Sequence, residues 1–156
     1  MSILIVYYSR TGYTKKVAEA MARSSDANLE EIFSKGSRKG LSGYLKSGKE
    51  AVRKELAEIE ETKNDPSEYD VVIIGTPVWV GNMASPVRTY LNHNLGRFKQ
   101  VAFFSTQGST KDQKVFNELR EVLGKDPLGA LKLGTKEVAK GEFNDKINKF
   151  LKEINN

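Results

Sequence analysis

Three stretches of this chain are continuously apolar: Ile3-Leu4-Ile5-Val6-Tyr7-Tyr8, Val71-Val72-Ile73-Ile74 and Val101-Ala102-Phe103-Phe104. Each is short and ends in polar, glycine-containing sequence. That pattern predicts strands buried on both faces rather than helices. Two weaker runs, Leu29 to Phe33 and about Leu128 to Leu133, carry charges or alternate imperfectly, which suits the edges of a sheet.

Between the strands lie stretches of helical period. The first spans about Tyr13 to Ser24, with Val17, Ala18, Met21 and Ala22 on one face. The others are expected from about Ser47 to Glu61, from Ser85-Pro86 onward with serine as cap, from about Lys111 to Leu123, and from about Gly141 to Ile154. Five β–α pairs predict an α/β fold, a doubly wound five-stranded parallel sheet with helices on both faces. Placing the fully apolar strands in the middle gives the order 2-1-3-4-5. At 156 residues the chain fits one domain, residues 1–156, with one long loop at about 35–48.

That strand order brings three polar loops to one sheet edge. Ser9-Arg10-Thr11-Gly12-Tyr13-Thr14 follows the first strand. Thr76-Pro77-Val78-Trp79-Val80-Gly81-Asn82-Met83 follows the third. Ser105-Thr106-Gln107-Gly108-Ser109 follows the fourth. Ligands of doubly wound sheets bind at this carboxyl edge, at the switch point between the first and third strands. The first loop supplies hydroxyls, one glycine and a helix N-terminus, which together suit a phosphate. The second carries the chain's one tryptophan, a flat face for a planar ring. The third offers backbone N–H groups and small hydroxyls to polar ring edges. A phosphorylated planar heterocycle, such as a mononucleotide flavin, fits all three.

On these three motifs the chain resembles the flavodoxin family over essentially its whole length. The resemblance implies a flavodoxin-like fold and a non-covalently bound FMN. Ser9, Arg10, Thr11, Gly12, Tyr13 and Thr14 would surround the phosphate. Thr76, Pro77, Val78, Trp79, Val80 and Gly81 would line the isoalloxazine, and Ser105, Thr106, Gln107 and Gly108 its other edge. Tyr13 stands where the family usually has asparagine, and Val80 separates Trp79 from the glycine that often follows the aromatic directly. The implied function is electron transfer between redox partners. The alternative is an FMN-dependent NAD(P)H reductase acting on a quinone or other small acceptor, in keeping with the Gly81-Asn82-Met83 run.

Composition narrows the rest. No cysteine is present, which excludes disulfides, thiolate catalysis and cysteine-held metal clusters. No residue set reads as catalytic or as a metal site. The single histidine, His93, falls at a helix end and reads as a surface or capping residue. The chain opens directly into a strand and has no apolar run of membrane-spanning length, so the expected location is the cytoplasm.

The net charge of +5 is unevenly placed. Lys35, Arg38, Lys39, Lys46, Lys49, Arg53 and Lys54 face one acid, Glu50, so this extended segment after the second strand carries +6 and the remainder −1. It is expected to be ordered near the flavin edge through Leu41, Tyr44 and Leu45. Its expected partner is an acidic redox protein, the phosphates of NAD(P)H or an anionic substrate, not nucleic acid. Gly43 to Lys49 spells a nucleotide P-loop up to its last position, but Glu50 follows where magnesium needs Ser or Thr.

Overall fold

The structure is a computed structural model that describes residues 1–36, 43, 45–49, 56–108 and 114–156. The proposed anchors Leu41 and Tyr44, the basic residues Arg38, Lys39, Arg53 and Lys54, and the expected helix start at Lys111 lie outside the described residues.

The strands are β1 (Ile3–Tyr7), β2 (Asn28–Glu31), β3 (Val71–Trp79), β4 (Asn82–Met83), β5 (Gln100–Gln107) and β6 (Ala130–Gly134). The helices are α1 (Tyr13–Ser25), α2 (Ser85–His93), α3 (Lys114–Leu123), α4 (Thr135–Lys140) and α5 (Asn144–Asn155). The parallel strands run in the order β2-β1-β3-β5-β6, which is the predicted order once β4 is set aside. Alternation along β1 explains the two-sided core. Leu4 and Val6 join Val72, Ile74, Val87, Tyr90 and Leu119 on the face covered by α2 and α3. Ile3, Ile5 and Tyr7 join Val71, Ile73, Val17, Met21 and Ile147 on the face covered by α1 and α5. Strands β1 and β3 are buried on both sides because each face already has its own helical layer.

Several boundaries differ from those the sequence predicts. The apolar runs at Val71 and Val101 continue as strand through their polar ends, so Thr76 to Trp79 and Ser105 to Gln107 are sheet, not loop. Parallel pairing carries them on: Thr76 lies opposite Ser105 and Pro77 opposite Thr106. The helix expected through Glu61 does not include residues 56–61. There the chain is extended and Ile59 bridges Ser34, with Lys35 N–H donating to Glu58 O at 2.9 Å and Glu60 N–H to Phe33 O at 2.8 Å. Ser85 is not the cap of α2. Ala84 is, in extended conformation and without a side-chain cap bond, and Ser85 and Pro86 form the first turn. The final helix is preceded by the short α4, separated from it by Gly141 at φ 74°.

Candidate functional site

At the carboxyl edge of the sheet a cleft of about 190 Å³ is lined by the ends of β1, β3 and β5 and the start of α1. Its first wall is Ser9, Arg10, Thr11, Tyr13 and Thr14. Gly12 shapes that wall without lining it. It is the N-cap of α1 at φ 102°, a left-handed angle that glycine adopts without penalty. Its N–H donates to Ser9 Oγ at 3.1 Å, which closes the loop on itself. Among the described residues no side-chain bond caps α1 at Gly12, and the amides of a first helical turn have no partner within the helix. These amides, the helix dipole and Arg10, the one charged residue lining the cleft among the described residues, make this end anion-attracting.

The second wall is Pro77, Val78 and Trp79 at the end of β3. Trp79 is both cleft wall and core. It is 9% exposed and meets Tyr8 edge to face, ring centroids 5.5 Å apart at 89°. Tyr8 continues β1 into the first loop, so this contact ties the two walls together.

Beyond Trp79 the chain reverses in two residues, Val80 at φ 50° and Gly81 at φ 77°. It then returns as β4, pairing Asn82 with Trp79 and Met83 with Val78. Two consecutive left-handed residues are the signature of a tight primed hairpin turn. Glycine suits it and valine does not, because Cβ branching makes this region costly by about 1–2 kcal/mol. Val80 and Gly81 form the tip and do not line the cleft.

The third wall is Thr106, Gln107 and Gly108. Thr14 and Thr106 share a buried hydroxyl–hydroxyl bond of 2.8 Å, which fastens α1 to β5 across the site. Ser105 lies beneath the wall, fully buried, its hydroxyl donating to Gln107 Oε1 at 3.0 Å and so orienting that amide. Thr76 is likewise internal. Its Oγ1 donates to Pro77 O at 2.7 Å and accepts the Ala84 N–H at 3.0 Å, bracing the hairpin from inside.

Eleven of the sixteen residues that the sequence points to therefore line one cleft, and Gly12, Thr76, Val80, Gly81 and Ser105 shape its walls from behind or beyond. The sequence reading missed Thr135, which joins the lining from the first turn of α4. The signal was available, since Thr135 follows a parallel strand at the same carboxyl edge as the other loops.

The segment that spells a near-match to a P-loop is helical at Gly43 and at residues 45–49, in keeping with its rejection on Glu50. A Cβ on Gly48 would lie 3.3 Å from a Val80 methyl, so this part of the basic segment packs on the hairpin tip. Lys46 and Lys49 beside it are exposed. His93 closes the last turn of α2, away from the cleft. No helix among the described residues is long and apolar enough to cross a membrane.

A doubly wound sheet with an anion-attracting, aromatic-walled cleft at its switch point defines a nucleotide-type ligand-binding α/β domain. A sequence model of the flavodoxin family matches residues 2–150, and the chain belongs to that family. Among solved structures, a flavoprotein in complex with FMN from Lactobacillus acidophilus is 30% identical. It superimposes with a TM-score of 0.70 over 89% of this chain and 97% of its own. A putative flavoprotein from Bacteroides uniformis shares the fold at 22% identity, with a TM-score of 0.76 and 97% of each chain covered. The general stress protein 14 of Treponema denticola, in complex with FMN, shares it at 12% identity, with a TM-score of 0.61 over 99% of this chain and 98% of its own.

Proposed function

We propose that this protein is an FMN flavoprotein that passes electrons between redox partners, with the flavin held non-covalently in the cleft. The observation that carries this reading is the convergence of three walls with different chemistry on one cleft. The donor set fits the cofactor. The uncapped N-terminus of α1, with Ser9, Arg10 and Thr11, suits a terminal phosphate. Pro77, Val78 and the exposed margin of Trp79 suit the face of a planar ring, and Gln107 and Gly108 its polar edge. The family membership and the FMN-bound relative from Lactobacillus acidophilus support the choice of FMN over other phosphorylated heterocycles.

When bound, FMN supplies the redox chemistry. The chain's task is to hold and orient it. The Thr14–Thr106 bond fixes the distance between the phosphate wall and the third wall. Ser105 sets the direction of the Gln107 amide. Tyr8 and Thr76 fix the Trp79 hairpin from its two sides.

The exposed Lys46 and Lys49, next to the hairpin tip, support docking of an acidic partner protein at this edge. The test is to purify the protein, reconstitute it with FMN, record the visible spectrum, and titrate with dithionite and separately with NADPH. The carrier reading expects a flavin spectrum bleached by dithionite and left intact by NADPH. Direct bleaching by NADPH overturns it in favour of a reductase, and failure to take up FMN removes both.

A further inference from the structure

We infer that Glu118, which lies outside the cleft, is a positioning residue for it: its carboxylate fastens the return strand of the hairpin that carries Trp79. Glu118 sits on α3 and is 5% exposed. Its Oε1 accepts the Met83 N–H at 3.0 Å and lies 2.7 Å from Arg88 Nη2 on α2. Both side chains are nearly closed to solvent, at 9% and 5%.

A buried ion pair is a poor way to gain stability, because desolvation consumes most of the attraction. This pair is not even fully bonded. Among the described residues Glu118 Oε2 has no hydrogen-bond partner, and Arg88 Nη2 reaches Oε1 at ionic distance without an aligned hydrogen bond. Its specific product is the hold on Met83.

That hold matters because β4 is two residues long and offers only two register pairs to β3. The turn before it forces Val80 into a left-handed conformation that the chain would otherwise leave. The hairpin therefore needs external fasteners, and the backbone N–H groups of Met83 and of Ala84 just after it have them. Met83 is tied to Glu118 and Ala84 to Thr76. Releasing Met83 frees the arm opposite Val78 and Trp79, the ring wall of the cleft. Arg88, 2.7 Å from the same oxygen, serves by keeping the carboxylate aimed at Met83.

The functional half of this inference rests on the FMN reading, and the structural half does not. Trp79 is the one tryptophan in the chain, so emission of the flavin-free protein reports the hairpin directly. Two double variants separate the hold from the charge. R88L/E118L removes the pair and the acceptor. R88L/E118Q removes both charges but keeps an amide oxygen for Met83. A third variant, Val115→Ala, removes buried side chain from the same helix and leaves the Glu118 carboxylate in place.

The expected result is that R88L/E118L shifts Trp79 emission and speeds exchange of the Met83 amide. It also raises the FMN dissociation constant about tenfold. R88L/E118Q stays at parental values in all three readouts, and Val115→Ala shifts only the unfolding midpoint. Equal effects from the two double variants, or an equal emission shift from Val115→Ala, overturn the inference. So does an unprotected Met83 amide in the parent protein, which needs no variant to fold. If the parent takes up no FMN, the cofactor reading fails, while emission and amide exchange still decide the role of Glu118.

Discussion

Replacing Gly75 with alanine should damage the centre of the sheet out of proportion to one methyl group. Gly75 lies in β3 directly opposite Phe104 of β5. A Cβ on Gly75 would lie 2.1 Å from Phe104 Cζ, 2.3 Å from Cε1 and 2.8 Å from Cε2. All three are closer than non-bonded carbons tolerate. The phenyl ring lies flat across the glycine and is fully buried among the residues under α1 and α5. It cannot swing aside without displacing a close-packed layer.

Overpacking of this kind costs about 1–3 kcal/mol, and more where backbone must move. With three contacts violated at once, we expect about 3 kcal/mol. For a chain of this size each kcal/mol lowers Tm by about 2–4 °C, so the midpoint should fall by roughly 6–12 °C. The assay is urea and thermal unfolding of the flavin-free protein, run on Gly75→Ala, Phe104→Leu and the double variant. Leucine is shorter where the ring covers Gly75, so the added methyl should cost below about 1 kcal/mol in that background, a coupling of about 2 kcal/mol. A Gly75→Ala protein within about 0.5 kcal/mol of the parent would refute the reasoning, as would strict additivity with Phe104→Leu.

Two further outcomes follow from contacts already described. Thr106→Val should destabilise the protein by about 1–3 kcal/mol, because it strands the buried Thr14 hydroxyl, and Thr14→Val added to it should recover part of that loss in urea unfolding. Burial, then nearby carboxylates, raises the phenols of Tyr7 and Tyr90 above their ordinary 10.0, so the fold keeps both neutral where the unfolded chain ionises them. Their contribution is therefore whole below pH 10.0 and is lost as pH rises beyond it, and the Tyr7→Phe/Tyr90→Phe variant should show a flatter alkaline stability profile than the parent.

The central sheet was legible because its strands are buried on both faces. Leu4 to Val6, Val71 to Ile74 and Val101 to Phe104 have no polar face to blur the pattern. The strand ends were not. Thr76, Ser105, Thr106 and Gln107 look like loop, yet they are sheet, and the hydroxyls of Thr76, Ser105 and Thr106 are bonded inside the fold. The hairpin was hidden for a related reason. Two residues, Asn82 and Met83, are too few to show a period, and its turn contains Val80 where turn chemistry calls for Asn or Gly.

Residues 56–61 misled in the opposite direction. Their charges match a helix face, but Ile59 gains more from bridging Ser34 beside β2. Most of the cleft could be read from the chain because the topology rule needs only strand order. Glu118 could not be. Nothing local distinguishes it from a solvated helix glutamate until α3 is docked against β4.

The cleft draws on residues 9–14, 77–79, 106–108 and 135, segments far apart along the chain. Only the parallel pairings of β1 with β3 and of β3 with β5 bring the three main walls together, and each closes a long loop before any contact rewards it. A partly folded chain lacking any of these strands has no cleft. A ligand that needs all three walls thus has nothing to grip early and cannot act as a template for folding. It acts on the finished molecule, adding about 2.7 kcal/mol at a hundred times its dissociation constant. Saturation should slow unfolding and leave the folding rate unchanged, making bound lifetime a kinetic record of an intact sheet.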